Sequence, residues 1–325
     1  ETALEMGLRS EMTFLLEDLL RRSGSEAVKE GIKGWKAQTQ NDLQTAVDHY
    51  RNSLRHQPDQ PELRFLLFKN LMELKQFEEA RAESDWFKKK VASGENILKS
   101  YLAQTLSLLG KTEEALSYWQ ELFLGNPDRT VYAVETARAM LTLGRAEEAL
   151  KLLEPVVVKT PEARGFETLA EIHAALGQTE HILKVTEKGL AFKPTTSLWQ
   201  YQAEAAEVLK QPSLALAAAK RWAAADPGNA SAHQIWAKAL LDLGEVEEAR
   251  ILLEGLLKRN PRFLPSLVHL REIALDAKQS GLAVEYSRET IGQRPWDTHA
   301  RLQHAVSLAE DERFLAAYGQ LRPLA

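Results

Sequence analysis

Residues 96–129 read NILKSYLAQTLSLLGKTEEALSYWQELFLGNPDR. Leu98, Leu102, Leu106 and Leu109 return every three or four residues, the period that gathers side chains on one face of an α-helix. Gly110-Lys111-Thr112 interrupts the run, and Ala115, Leu116, Trp119, Leu122 and Phe123 begin a second one. Gly125-Asn126-Pro127-Asp128 ends it. A proline just past a helix blocks extension without removing a hydrogen bond the helix needs. The stretch predicts a helix, a short turn, a second helix and a proline-stopped turn.

The pattern recurs along the chain. Pro127, Pro161, Pro194, Pro227, Pro261 and Pro295 are separated by 34, 33, 33, 34 and 34 residues, and Pro58 precedes Pro127 by 69, with Ala92 in the phase between them. Twelve residues before these positions stand Ala46, Ala80, Ala115, Ala149, Ala215, Ala249 and Ala283, followed by Ala317, with Ile182 as the exception. Twelve residues earlier again come Gly34, Ala103, Ala137, Ala170, Ala203, Ala237 and Ala305, with Phe68 and Arg271 as departures. A fixed period of this size marks a repeat architecture. Small residues in register predict sites where two helices cross closely, because larger side chains would push the backbones apart.

These residues resemble the tetratricopeptide repeat (TPR). The unit Ala230–Phe263 carries the pattern as Trp236, Ala237, Leu240, Gly244, Ala249, Leu253 and Pro261. In this register the units are 27–60, 61–95, 96–129, 130–162, 163–195, 196–229, 230–263 and 264–297, with a shortened ninth at 298–325. The resemblance implies an all-α, right-handed superhelical solenoid of antiparallel helix pairs, with the first helix of each pair on the concave inner surface. Residues 1–26 lie outside the register. Leu4, Leu8, Met12, Leu15 and Leu19 form one apolar stripe there, so an amphipathic helix capping the first repeat is expected.

Composition narrows the function. Of 325 residues, 44% are hydrophobic and 27% charged, which suits a folded chain rather than a disordered one. There is no cysteine, which excludes disulfides, Cys-ligated zinc, iron–sulfur clusters and thiol nucleophiles. The net charge of −5 argues against a general nucleic-acid binder, which needs a basic excess to neutralise phosphates. No apolar run approaches the ~20 residues of a membrane span.

The motifs that suggest chemistry dissolve on inspection. Gly110-Lys111-Thr112 looks like the end of a phosphate-binding loop, but Thr105 stands where the upstream glycine belongs and no strand precedes it. The eight histidines include no HExxH; His49 and His56, or His299 and His304, offer two ligands without a third. Asn229-Ala230-Ser231 fits a glycosylation acceptor in an inter-repeat turn. No catalytic residue, metal ion or cofactor is assigned, and the expected activity is non-catalytic.

A long open groove suits an extended peptide or a helix better than a reaction that must exclude water. Inner-face positions are taken as the second, fifth, ninth, twelfth and thirteenth of each unit. In the first four units they include Trp35, Glu62, Phe65, Lys69, Glu73, Gln104 and Arg138, where two acids and two bases cancel. From the fifth unit on they give Arg164, Glu167, Glu171, Glu204, Glu207, Lys238, Asp242, Glu272, Asp276 and Glu310, a net charge of −6. Such a stripe is either a solvated face or the match for a cationic ligand. Lys69 and Arg138 stand isolated, two repeats apart, so the carboxylate clamp of chaperone-binding TPR proteins is not expected. Trp119, Trp199, Trp222 and Trp236 fall in core columns; Trp35, Trp86 and Trp296 are the candidates for exposed anchors.

The expected function is a scaffold holding a partner protein or peptide, with basic residues meeting the acidic half of the groove. A narrower alternative follows from resemblance to the periplasmic TPR arrays of bacterial polysaccharide-export proteins. There the segment recruits a polymer-modifying enzyme or touches an amine-bearing polysaccharide. The absent cysteine and the missing initiator Met fit that reading, while a cytoplasmic location stays open. Self-association is a further expectation, through the apolar C-terminal end around Phe314, Leu315 and Leu321.

Overall fold

The structure is a computed structural model describing residues 24–91 and 95–322. The helix expected over residues 1–26 lies, but for its last three residues, outside the described residues. The chain forms two compact units, the first ending at Thr160 and the second beginning at Pro161. Among the described residues there are eighteen α-helices and no strand.

The first unit contains four helix pairs: α1 (Glu26–Thr39) with α2 (Leu43–His56), α3 (Pro61–Glu73) with α4 (Phe77–Lys90), α5 (Asn96–Leu108) with α6 (Thr112–Gly125), and α7 (Thr130–Thr142) with α8 (Ala146–Lys159). The second contains five: α9 (Ala163–Ala175) with α10 (Thr179–Phe192), α11 (Thr196–Val208) with α12 (Pro212–Ala225), α13 (Ala230–Asp242) with α14 (Val246–Arg259), α15 (Leu264–Asp276) with α16 (Ser280–Gln293), and α17 (Thr298–Glu310) with α18 (Phe314–Leu321). Within each unit every helix packs on its neighbours in the chain. This is the all-α solenoid arrangement that the period of 33–34 residues predicts.

Every pair turns on one residue in the left-handed region. These are Asn41 (φ 63°), Lys75 (60°), Gly110 (75°), Gly144 (75°), Gly177 (68°), Lys210 (54°), Gly244 (82°), Lys278 (56°) and Glu312 (59°). Around Gly244 the amide donates to Leu241 O at 3.0 Å and the Glu245 amide to Leu240 O at 2.9 Å, so the left-handed residue satisfies carbonyls the helix end would leave open. Helix starts are fixed by side-chain caps at Asp42, Thr195, Asn229 and Asp297 and by first-turn prolines at Pro61, Pro212 and Pro265.

The small-residue columns are the helix crossings. Ala46, Ala80, Ala115, Ala149, Ala249 and Ala283 are all 0% exposed, as are Ala103, Ala137, Ala170, Ala203 and Ala237. Where the column holds glycine the reason is visible: a Cβ on Gly34 would lie 2.6 Å from the buried ring of Tyr50. The core of α11–α13 is unusually rich in alanine, with Ala203, Ala206, Ala215, Ala218, Ala219, Ala223, Ala232 and Ala239 set around Trp222 and Ile235. The departures from the column are also inside. Phe68 is 0% exposed and Arg271 only 7%.

Candidate functional site

In the second unit the first helices of successive pairs approach one another directly, α9 with α11 and α11 with α13. The acidic positions stand on these three first helices and on α15 and α17. The structure divides them into two groups. Nearer the start of the unit the carboxylates are half-buried and held. Glu167 on α9 accepts a hydrogen bond from the Thr195 hydroxyl at 2.6 Å. Glu204 accepts from Gln200 Nε2 at 3.0 Å, one turn away on α11. Glu207 pairs with Lys238 Nζ of α13 at 2.6 Å; this hydrogen bond raises the Lys238 pKa against the opposing effect of burial. Glu171 is half-buried and engaged, and Arg164 is exposed and engaged.

Toward the end of the unit Asp242, Glu272, Asp276 and Glu310 are exposed on α13, α15 and α17. Glu272 lies 3.5 Å from His269 Nδ1. Glu207, Lys238 and Asp242 line one open cleft together with Val208, Lys210 and Pro212. Asp276 lines the next one along, with Val246, Arg250 and Ile273.

Two exposed apolar residues on α17 escape a reading that counts only charge. Leu302 and Val306 occupy the fifth and ninth positions of the last pair, on α17, and are 46% and 42% exposed. Their signal in the sequence lies at the ninth position, where Val306 follows Lys238 and Glu272; at the fifth, Leu302 follows Gln234 and Val268.

The first-unit candidates do not gather into one site. Trp35 on α1 is 44% exposed. Lys69 is exposed on α3 and Arg138 half-buried on α7. Phe65 stacks on Tyr101 at 4.8 Å, so that part of the first unit is aromatic. Trp86 is half-buried, with Arg64 4.5 Å and Lys90 5.5 Å from its ring centre. Arg64 also pairs with Glu83 at 2.7 Å, so Trp86 is sandwiched by its own chain. Trp296, in the turn before α17, is 78% exposed. Of the core tryptophans, Trp119 and Trp222 are 2% exposed, while Trp199 and Trp236 are half-buried against the alanine-rich core.

A family model described as Tetratricopeptide repeat matches residues 7–157, and helix pairs of the same length continue to Gln293, followed by a last pair with a shorter second helix. The chain carries tetratricopeptide repeats. Among solved structures, it resembles a chain of the APC/C hetero-tetramer Cut9–Hcn1 with a TM-score of 0.52 at 14% identity, over 92% of this chain and 59% of that one. It thus spans about three-fifths of that relative's length. A tetratricopeptide repeat protein from Parabacteroides merdae matches with a TM-score of 0.49 at 15% identity, over 71% and 92% of the two chains. The human IFIT1 dimer with m7Gppp-AAAA matches at 0.47 and 14%, over 98% and 86%. No curated protein sequence matches. At these identities the structural likeness is one of fold. TPR proteins are generally non-catalytic, and the fold is that of a protein-interaction scaffold. Among the described residues no helix is long and apolar enough to cross a membrane.

Proposed function

We propose that the second unit docks a basic, amphipathic segment of a partner protein along its first helices. The observation that carries this reading is the run of exposed carboxylates Asp242, Glu272, Asp276 and Glu310, with the exposed Leu302 and Val306 on the helix that carries Glu310. Like charges spaced along one face repel, and a cationic ligand removes that cost. The aliphatic pair adds a place for a side chain that charge alone would not hold. Glu207 belongs to the same cleft but is matched by Lys238, so the free acidity lies toward α15 and α17.

The test compares a lysine- and leucine-containing helical peptide with its glutamate counterpart, at low and physiological salt. The basic peptide should bind saturably, and binding should weaken with salt. D242K, E272K, D276K and E310K together should abolish it. Equal binding of both peptides, or binding unmoved by the four reversals, ends the reading. A partly deacetylated glucosamine polymer forms the third arm. If it binds and the peptide does not, the occupant is an amine-bearing polysaccharide and the protein reading falls.

A further inference from the structure

The crossing of α15, α16 and α17 is built differently from that of α11, α12 and α13. Where α11, α12 and α13 meet, alanine fills the crossing. Where α15, α16 and α17 meet, the crossing holds Arg271, Ser287, His304 and Ser307, which are 7%, 1%, 6% and 0% exposed. Arg271 takes a small-residue position of its repeat. Its Nε donates to Ser307 Oγ at 2.9 Å, and no described carboxylate forms an ion pair with it.

His304 is the titratable group at the centre. Its Nδ1 shares a hydrogen bond of 2.8 Å with Ser287 Oγ on α16. The charges acting on it are cationic: Arg288 from α16 and Arg271 from α15. Glu285 and Glu289 on α16 and Glu272 on α15 are exposed, and Glu272 acts on Arg271. The fourth element, α18, reads FLAAYGQL and brings no acid or base other than the exposed Tyr318. On α17 itself, His299 is exposed and Arg301 is turned to the Pro295 carbonyl. A proton on His304 would thus enter a buried site under the influence of two guanidinium groups, with no described carboxylate paired to it.

We propose that the contact of α17 with α15 and α16 is proton-operated: a proton taken up by His304 loosens it while the preceding pairs stay folded. Repeats in a solenoid contact only their neighbours, so one interface can open while the others stay closed. Burial first, then Arg288 and Arg271, hold the imidazole below its ordinary value of 6.5. The attached pair therefore binds the proton less readily than the detached one. Stability is complete above the free value and declines as pH falls below it. This inference does not rest on the docking reading, although Leu302 and Val306 ride on the same helix.

Hydrogen exchange followed by mass spectrometry on the whole chain tests it, at pH 7.5 and 5.5 with intrinsic rates corrected. Protection of α17 and α18 should fall by up to about tenfold between the two pH values, because pH 5.5 lies one unit below the free imidazole value, with α11–α14 unchanged. H304Q, which keeps a hydrogen-bonding group and loses the proton site, should remove the pH dependence. The exposed R288Q should raise the His304 titration midpoint in proton NMR and reduce the acid sensitivity, a readout that survives if H304Q does not fold. Equal protection at both pH values, a loss spread over all pairs, or a His304 midpoint at or above that of a free imidazole would overturn the proposal.

Discussion

Lys238 on α13 reaches across to Glu207 on α11, its Nζ 2.6 Å from a carboxylate oxygen, and so ties the first helices of two successive repeats together. The pair is partly exposed, so its net contribution to stability is small, within about 1 kcal/mol. Its larger effect is on the charge of the docking face. K238Q frees Glu207 beside Asp242. It should move the thermal midpoint little, tighten binding of the basic peptide and steepen its salt dependence. Isothermal titration at two salt concentrations checks this, and weaker binding would be the wrong sign.

The turn residues make a second prediction. Lys210 and Lys278 hold φ values of 54° and 56°, where a Cβ is strained. K210G and K278G should each stabilise the fold by about 0.5–1 kcal/mol, and G244A, at φ 82°, should destabilise it by a similar amount. Urea midpoints of the three variants should therefore move in opposite directions.

Two glycines on α1 should respond oppositely to the same methyl group. A Cβ at Gly34 would meet the Tyr50 ring at 2.6 Å, whereas at Gly31 it would rest 3.6 Å from Ser53 Oγ and 3.7 Å from Leu63 Cδ1. G34A should cost about 1–3 kcal/mol by overpacking. G31A should gain about 0.5–1 kcal/mol from helix propensity. Thermal melts of both variants decide it.

Acid should loosen the first repeat through Glu30. Burial pushes this carboxyl up, but hydrogen bonds and charges from Lys33 and His49 outweigh it and hold the pKa at about 2, against an ordinary 4.5. A depressed carboxylate stabilises above its unfolded value and loses that contribution as pH falls toward the folded one. The first pair should weaken between about pH 4.5 and pH 2, by up to ~3 kcal/mol. E30Q should flatten that slope and be less stable at neutral pH. Exchange protection of α1 and α2 against pH is the readout.

The periodic elements were legible because they depend on residue type at fixed spacing. Leu98 to Leu109 and the alanine columns state where helices run and cross, and the phased prolines state where they stop. The turns were half legible. Gly110 signals a break, but Lys75, Lys210, Lys278 and Glu312 adopt the same left-handed geometry because the packed pairs impose it, not because the residue prefers it. The acidic stripe could be read from position, yet its division could not. That Lys238 neutralises Glu207 depends on a contact 31 residues away in sequence. Arg271 showed itself as a misfit in a small column. What surrounds it required the packing of α15, α16 and α17.

The account stands most directly on where a cationic partner sits. Hydrogen exchange of the whole chain with and without the basic peptide locates it. The account predicts new protection on the inner faces of α13, α15 and α17, lost when Asp242, Glu272, Asp276 and Glu310 are reversed to lysine. Protection confined to the second helices α12, α14 and α16, or none at saturating peptide, would contradict it.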